Sequence, residues 1–399
     1  MSAEKLLATI GGKNKSTKEL HPGVIRLSDL YVDPMNYIKS KEMYHQASEY
    51  KKTLQAFGFG QQAQVQLTPG EMFLGRIYLK MEFSFAGNCI LPPCFGHQII
   101  DQVQMNLPGS QRVFKSGDLI FLQNMYESNS DNKRNALIEL AGGPVNINNP
   151  TGAFIVYILL PILTSSVDER RNYKYPIHLL NSNIDVQIRF KSAIDTVVTT
   201  PSNVTFVNAE LLYERFNLYD PKMLKSKKEP YVLPYFEARE FFFSFVGDNI
   251  NSQTIRVDGV TEDSETVDML LQVELDTERS TNKNYLNGEN VRNLIVKLAD
   301  REIIRSEDDK FHRIMQLVCN KDELAYTLKG VKQRYFRVPF SPLPYKEQAS
   351  SHKYVNGSDL SQDDIKINLI TPAGASRLKV YTFKKKLITF YNGLQQNVR

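Results

Sequence analysis

Tryptophan is absent from this 399-residue chain, cysteine is scarce, and no long hydrophobic run occurs anywhere in it. Three cysteines (Cys89, Cys94, Cys319) cannot make a disulfide framework, so the sequence points to a reducing compartment. With Pro92 and Pro93 between them, Cys89 and Cys94 read as a strand-to-loop corner. The longest apolar stretch, 154–163, is far short of the ~18 residues that cross a bilayer. The opening Met1-Ser-Ala-Glu-Lys5 lacks the charged-then-apolar layout of a secretory signal. Asn203-Val-Thr205 and Asn356-Gly-Ser358 match the glycosylation pattern, but without such a signal modification is not expected.

Catalytic patterns are missing too. The histidines (His21, His45, His97, His178, His312, His352) are scattered, with no H-x-H or H-E-x-x-H spacing for a metal. There is no G-x-S-x-G, no P-loop and no G-x-G-x-x-G. Asp308-Asp309 and Asp363-Asp364 are adjacent in sequence, which suits turns or caps rather than a glycosidase pair. No aromatic-plus-basic repeat of the kind that grips single-stranded nucleic acid is present. The expectation is a protein without catalytic residues, metal, cofactor or small-molecule substrate.

What is present is alternation. Phe73, Ile77, Leu79, Met81, Phe83 and Phe85 face one way, and Arg76, Tyr78, Lys80, Glu82 and Ser84 the other. Ile184, Val186, Ile188 and Phe190 alternate with Asp185, Gln187 and Arg189. Phe241, Phe243 and Phe245 follow the same period, as do Val267, Met269, Leu271, Val273 and Leu275. One apolar face per strand implies antiparallel sheets packed face to face. The 22 Phe and 20 Tyr supply the bulk that such cores need.

One pattern occurs twice, about 178 residues apart. Tyr157-Ile-Leu-Leu-Pro161 is an apolar strand stopped by proline; a polar stretch follows, then the alternating strand 184–190. Tyr335-Phe-Arg-Val-Pro339 repeats this, leading to Ile365-Lys-Ile-Asn-Leu369. Each copy ends in a further strand, 204–213 and 378–390. A period this long exceeds the ~20–50 residues of solenoid units, so it reads as a domain duplication. Residues 217–236, with four lysines and three prolines, read as the linker region.

Residues 1–32 have no periodicity and read as a flexible arm. Asp33-Pro34 suits a helix start, and Met43, Ala47, Tyr50, Leu54 and Phe57 are spaced for one helical stripe closed by Gly58. An amphipathic helix is therefore expected there, outside both β domains. Short helices are expected at 175–180 and 322–329. Polar connections at 126–152, 163–183, 276–290 and 341–364 read as long loops.

The net charge of +5 is unevenly spread. After Asp364 come Lys366, Arg377, Lys379, Lys384, Lys385, Lys386 and Arg399 with no acid, and Lys5, Lys13, Lys15 and Lys18 face only Glu4 at the other end. Such clusters suit either phosphate contact or a solvated strand edge.

Several stretches resemble the double-jelly-roll major capsid proteins of icosahedral double-stranded DNA viruses. That group spans large eukaryotic DNA viruses, virophages, polinton-like viruses and tailless membrane-containing phages. Ile100-Asp-Gln-Val-Gln-Met-Asn-Leu-Pro-Gly-Ser110 with Ser116-Gly-Asp-Leu119 looks like the family's early strand pair and Gly-Asp helix start. Leu159-Leu-Pro-Ile162, Tyr175-Pro-Ile-His-Leu-Leu180 and Ile184-Asp-Val-Gln-Ile188 resemble its proline-ended strand, short helix and following strand. Val338-Pro-Phe340, Asn356-Gly-Ser358, Leu360-Ser361 and Asp364-Ile365 are similar to the second roll's equivalent. Lys379-Val-Tyr381 through Tyr391-Asn-Gly-Leu394 looks like the closing strand. Two features depart from the pattern: Pro108-Gly-Ser110 replaces the usual Gly-Gly-Gln, and the tryptophans common in these strands are missing.

The resemblance implies an all-β chain with two tandem eight-stranded jelly-roll β-sandwiches. The expected organisation is arm and helix over 1–61, first roll over 62–218, linker over 219–231 and second roll over 232–396. It further implies a homotrimeric, pseudo-hexagonal capsomer in the virion, made and assembled inside the host cell. Expected partners are neighbouring capsomers and penton and minor capsid proteins. An internal membrane or the packaged genome would be met through the arm. For that inner surface the candidate contacts are Lys5, Lys13, Lys15, Lys18, Met43, Tyr50, Leu54 and Phe57. Two alternatives stand beside this: a scaffold or minor capsid protein of the same fold, and a carbohydrate-binding β-sandwich, which should carry aromatic platforms on its loops.

Overall fold

A computed structural model describes residues 45–69, 73–107, 112–128, 130–162, 165–167, 175–218, 231–245, 252–257, 265–298, 301–307, 335–340, 358–359, 365–392 and 394–398. In the first half the strands are β1 (His45–Thr53), β2 (Gln62–Leu67), β3 (Phe73–Phe85), β4 (Ile90–Leu91), β5 (Ile100–Asn106), β6 (Arg112–Lys115), β7 (Ile147–Asn148), β8 (Phe154–Leu159), β9 (Ile184–Phe190) and β10 (Val204–Leu218). Two antiparallel sheets form, in the orders β1-β10-β3-β8 and β2-β9-β5-β6, while β4 and β7 pair separately.

The second half contributes β11 (Tyr231–Ser244), β12 (Ser252–Val257), β13 (Glu265–Leu275), β14 (Arg292–Leu298), β15 (Arg301–Ser306), β16 (Phe336–Pro339), β17 (Ser358–Asp359), β18 (Ile365–Ile370), β19 (Ala375–Tyr391) and β20 (Leu394–Val398). Its sheets run β11-β19-β13-β16 and β12-β18-β14-β15, with β17 added to β13 and β20 to β19. With the small extra strands set aside, both halves have one strand order, first-eighth-third-sixth over second-seventh-fourth-fifth. That is the eight-stranded jelly roll, present twice. The repeated proline-ended strand is the sixth strand of each roll, β8 and β16.

Alternation places the cores as expected in the first roll. Ile77, Leu79, Met81 and Phe83 meet Ile184, Val186, Ile188 and Phe190 inside. Phe83 lies against Phe206, Phe95 and Phe154, so phenylalanines do the filling that tryptophan often does. In the second roll Met269, Leu271 and Val273 pack with Leu378, Val380, Ile365 and Ile367. Val267 leaves this series, because a register shift between Thr266 and Asp268 turns it to the opposite face.

Three expectations are corrected. The amphipathic helix is not formed over its described part: residues 45–53 are β1, paired with β10 from His45↔Leu218 to Thr53↔Glu210. The open edge of a long strand offers nine residues' worth of ladder pairing, and this outweighs a helical spacing that also fits an extended chain turning inward after Thr53. The linker region is shorter than its composition suggests, since β10 continues to Leu218 and β11 starts at Tyr231. Pro234 is accommodated because β11 is an edge strand. The C-terminal basic cluster is no strand edge either: Lys379 and Lys384 are fully buried on β19, which has β11 on one side and β13 on the other.

The connections hold more helix than their polarity implied. α1 (Phe95–Gln98), α2 (Gly117–Glu127) and α3 (Asp131–Leu140) lie in the first roll, with α2 and α3 before and within the predicted 126–152 loop. The short helix expected at 175–180 is a 3-10 turn, Ile177–Leu179. The segment 322–329 lies outside the described residues.

Candidate functional site at the seam between the rolls

β13 is buried on both faces, and the reason is α2. The helix lies on the outer surface of the second roll's β11-β19-β13-β16 sheet. Leu119, Leu122 and Tyr126 of α2 pack there with Ala238, Val267, Leu270, Tyr335, Tyr381 and Phe383. Tyr126 and Phe383 rings are 5.3 Å apart, and Tyr335 meets Tyr381 edge-on at 6.2 Å.

The Ser-Gly-Asp start of α2 has a separate task for each residue. Ser116 Oγ accepts the Leu119 amide at 3.1 Å, closing the helix N-terminus. At Gly117 a Cβ would stand 2.0 Å from the His97 carbonyl oxygen, so no other residue fits that close approach. Asp118 then reaches across the seam: Lys379 Nζ donates to its Oδ2 at 2.7 Å.

Lys379 sits at the centre of a buried charge cluster. Its ammonium also lies 3.1 Å from Glu274 Oε1 and donates to the Tyr285 carbonyl at 2.6 Å. Arg377 pairs with the other oxygen of Glu274. Burial works to raise the Asp118 carboxyl, but Lys379 and Lys191 outweigh it and hold it below the usual carboxylate range. Burial likewise opposes the Lys379 charge, yet Asp118 and Glu274 keep it above the ordinary lysine value. Both groups are therefore ionised inside a water-poor seam.

Further contacts extend the seam in two directions. On one side Tyr126 donates to Asp268 Oδ2 at 2.8 Å, while Arg337 Nε donates to Asp268 Oδ1 at 2.9 Å. Beside these, Ser116 donates through its amide and hydroxyl to the Glu240 carboxylate. Burial pushes Glu240 up to about 7, more than the Ser116 hydrogen bonds offset. On the other side Gln98 donates to Asn284 Oδ1 at 2.9 Å and accepts the Tyr285 amide at 3.0 Å. Lys191 Nζ stands 3.6 Å over the Tyr285 ring, whose hydroxyl donates to the Asp195 carbonyl.

The proline-ended strand of the first roll also serves this helix. Beyond β8 the ladder stops at Pro161, leaving carbonyls that α2 and its neighbour take up. Asn124 Nδ2 donates to the Leu159 carbonyl at 2.8 Å, and Lys115 Nζ donates to the Pro161 carbonyl and to Gln123. Burial lowers Lys115 to about 8.

Of the side chains expected at an inner surface, Tyr50, Leu54 and Phe57 are among the described residues. Lys5, Lys13, Lys15, Lys18 and Met43 lie outside them. Tyr50 is 37% exposed, stacked on Tyr213 with Arg215 over its ring. Leu54 is turned into the first roll's core, and Phe57 packs on it beside Phe206. The structure thus gathers Tyr50, Leu54 and Phe57 along one margin of the first roll. The seam residues Asp118, Glu240, Asp268, Glu274, Arg337 and Lys379 had no signal as a group. Only the Ser116-Gly-Asp-Leu119 start stood out beforehand. Among the described residues no group of three His, Cys, Asp or Glu side chains could hold a metal ion.

This pairing of rolls has parallels among solved structures. The chain superposes on VP54 of the virus PBCV-1 with a TM-score of 0.70 at 9% identity, over 89% of this chain and 97% of that one. The fold is the double jelly roll. The major capsid protein of Faustovirus shares this double jelly roll, with a TM-score of 0.62 at 7% identity over 97% of both chains. The MCP of STIV gives 0.52 at 12% identity, over 85% of this chain and 96% of its own. No family model and no curated protein matches the sequence, so the likeness is one of double-jelly-roll architecture.

Proposed function

We propose that this chain is a major capsid protein whose copies form homotrimeric, pseudo-hexagonal capsomers tiling an icosahedral shell. The observation that carries this reading is the repeated strand order: one chain holds two rolls of the same topology, fixed side by side by a buried seam. Three such chains closed in a ring present six sides of near-equal shape, and a hexagonal outline tiles a surface. Solved proteins with this fold, among them the Faustovirus major capsid protein and a chain of the PBCV-1 capsid, support the same direction.

On this reading the protein resides in the virion after synthesis and assembly inside the host cell. Its partners are other copies, neighbouring capsomers, and penton and minor capsid proteins. The lysines of residues 1–32 suit an anionic membrane or genome beneath the shell, each contributing up to about 1 kcal/mol near such a surface. The role is structural, with no substrate to turn over. Negative-stain microscopy of the purified protein tests it: hexagonal particles of three chains are expected, and a uniform monomer overturns it.

A further inference from the structure

We infer that the outer faces of the β2-β9-β5-β6 and β12-β18-β14-β15 sheets dock on each other between neighbouring capsomers, and that their opposite charge selects how those capsomers are oriented. The inference rests on the trimeric reading above and extends it from one ring of six rolls to the array that such rings build. What carries it is one row of the sheet, present in both rolls with opposite sign.

Register makes the comparison direct. In the first roll Asp185 of β9 lies between Gln66 of β2 and Asn106 of β5. The same place on β18 is Lys366, because Ile365-Lys-Ile-Asn-Leu369 repeats Ile184-Asp-Val-Gln-Ile188. Lys366 lies opposite Lys297 of β14, where the first roll has Asn106. Asp185, Lys366 and Lys297 are half-buried on the outer sides of their sheets, while their strand neighbours Ile184, Ile365 and Val296 are buried inside.

The Asp185 carboxylate accepts from Gln64 at 2.7 Å, Gln187 at 2.7 Å and Asn106 at 3.2 Å. These neutral amides hold it in place and leave its charge uncancelled. Nearby, Asp101 contacts Arg189, so that pair is balanced. On the second roll, Arg305 joins the next row opposite Ile295, and Glu302 lies 3.7 Å from that arginine. Lysines directly across a ladder disfavour each other, a cost that an opposing carboxylate offsets. Neither face is used by the seam: α2 covers the other sheet of the second roll, and the hydrogen bonds of Asp185 stay within its own face.

The symmetry of a six-roll ring turns this difference into a rule of orientation. First and second rolls alternate around the ring, so opposite sides of one capsomer belong to different rolls. Two capsomers in the same orientation therefore meet first roll to second roll, with Asp185 against Lys297 and Lys366. Turned by one side, they meet like to like, and two lysine rows repel. Complementary charge gives an interface specificity more than affinity, and like-charge apposition excludes the wrong arrangement.

The test uses full-length trimers, prepared separately in isotopically light and heavy form, mixed at high concentration and treated with a carbodiimide, which joins a carboxylate directly to an amine. The expected product is a light-to-heavy link from Asp185 to Lys297 or Lys366. It should fade with added salt, since the screening length falls to about 3 Å at 1 M. Asp185→Lys should abolish association between trimers on sedimentation while the trimers and a cooperative thermal transition remain. Combining Asp185→Lys with Lys297→Asp and Lys366→Asp should restore association, which a folding defect would not allow. Intact wild-type trimers without the link, an Asp185→Lys variant that associates like wild type, or a trimeric triple variant that stays unassociated each overturns the docking and leaves the trimer reading standing. A wild-type chain that sediments only as monomer overturns both.

Discussion

Lys379 on β19 and Asp118 at the start of α2 are 261 positions apart in sequence and 2.7 Å apart in space. They join the two rolls inside the buried seam. An ion pair there adds little net stability compared with a well-packed apolar pair, but removing one partner strands the other charge. The pair thus fixes how the rolls sit against each other more than how strongly each one folds.

Lys379→Met should therefore cost about 3–5 kcal/mol, because Asp118 is left buried without its cation and Glu274 keeps only Arg377. Adding Asp118→Leu should recover a large part of that loss. Urea unfolding of the two single variants and the double variant gives the coupling energy directly. Additive losses would show that the two side chains act independently.

Gly117→Ala should be as damaging as a core cavity, although it adds one methyl group. The new carbon would overlap the His97 carbonyl, which is backbone and cannot rotate away. Overpacking of this kind costs about 1–3 kcal/mol, and here the displaced element is the helix that covers the second roll. Ser116→Ala, which removes only the cap, should cost about 1 kcal/mol. Thermal denaturation of both variants ranks them, and an alanine at position 117 with an unchanged transition would contradict the close approach.

The strands were legible in the sequence wherever one face was buried and the other was not. β9 keeps strict alternation throughout and β3 from Ile77 to Phe83, and the inward residues there are the ones expected. The proline at the end of the sixth strand marked the duplication because the ladder must stop there in both rolls. β13 and β19 were harder to read: Asp268, Gln272, Glu274 and Lys379 look like solvent-facing positions, and only the first roll lying on them makes them interior. No local pattern encodes a neighbour supplied from residues 116–127. The stripe ending at Phe57 misled for a related reason, since β10 offered pairing that a helix cannot use. Gly117 and Asp118 were visible as a motif, but their roles depend on His97 and Lys379, distant in sequence.

Stability should fall as pH rises from about 5 to about 7 through Glu240. Burial raises its carboxyl from an ordinary 4.5 to about 7, so the folded chain holds a proton that the unfolded chain has already released. That contribution is complete below 4.5 and is lost as pH climbs through the folded value. Asp118 runs the opposite way: its carboxyl is held low, so its contribution is present at neutral pH and lost on acidification. Glu240→Gln should remove the fall. Its gain near neutral pH should be about 1–2 kcal/mol, less than the full shift implies because water reaches part of the side chain. Urea midpoints of both proteins near pH 5 and near pH 8 check this, and parallel pH profiles would contradict it.

The N-terminal segment should divide sharply at β1. Removing residues 1–44 leaves the nine pairings from His45↔Leu218 to Thr53↔Glu210 intact, together with Tyr50 on Tyr213. That truncation should unfold cooperatively with a midpoint close to the full chain's. Removing residues 1–53 takes away the whole edge strand, leaving β10 with an unpaired ladder and Tyr213 uncovered. A long bare edge next to apolar side chains invites pairing between molecules. The longer truncation should therefore melt earlier and aggregate, as light scattering during a thermal ramp would report. If the two truncations behave alike and both stay soluble, β1 adds nothing to the first roll and the segment is better described as a free arm.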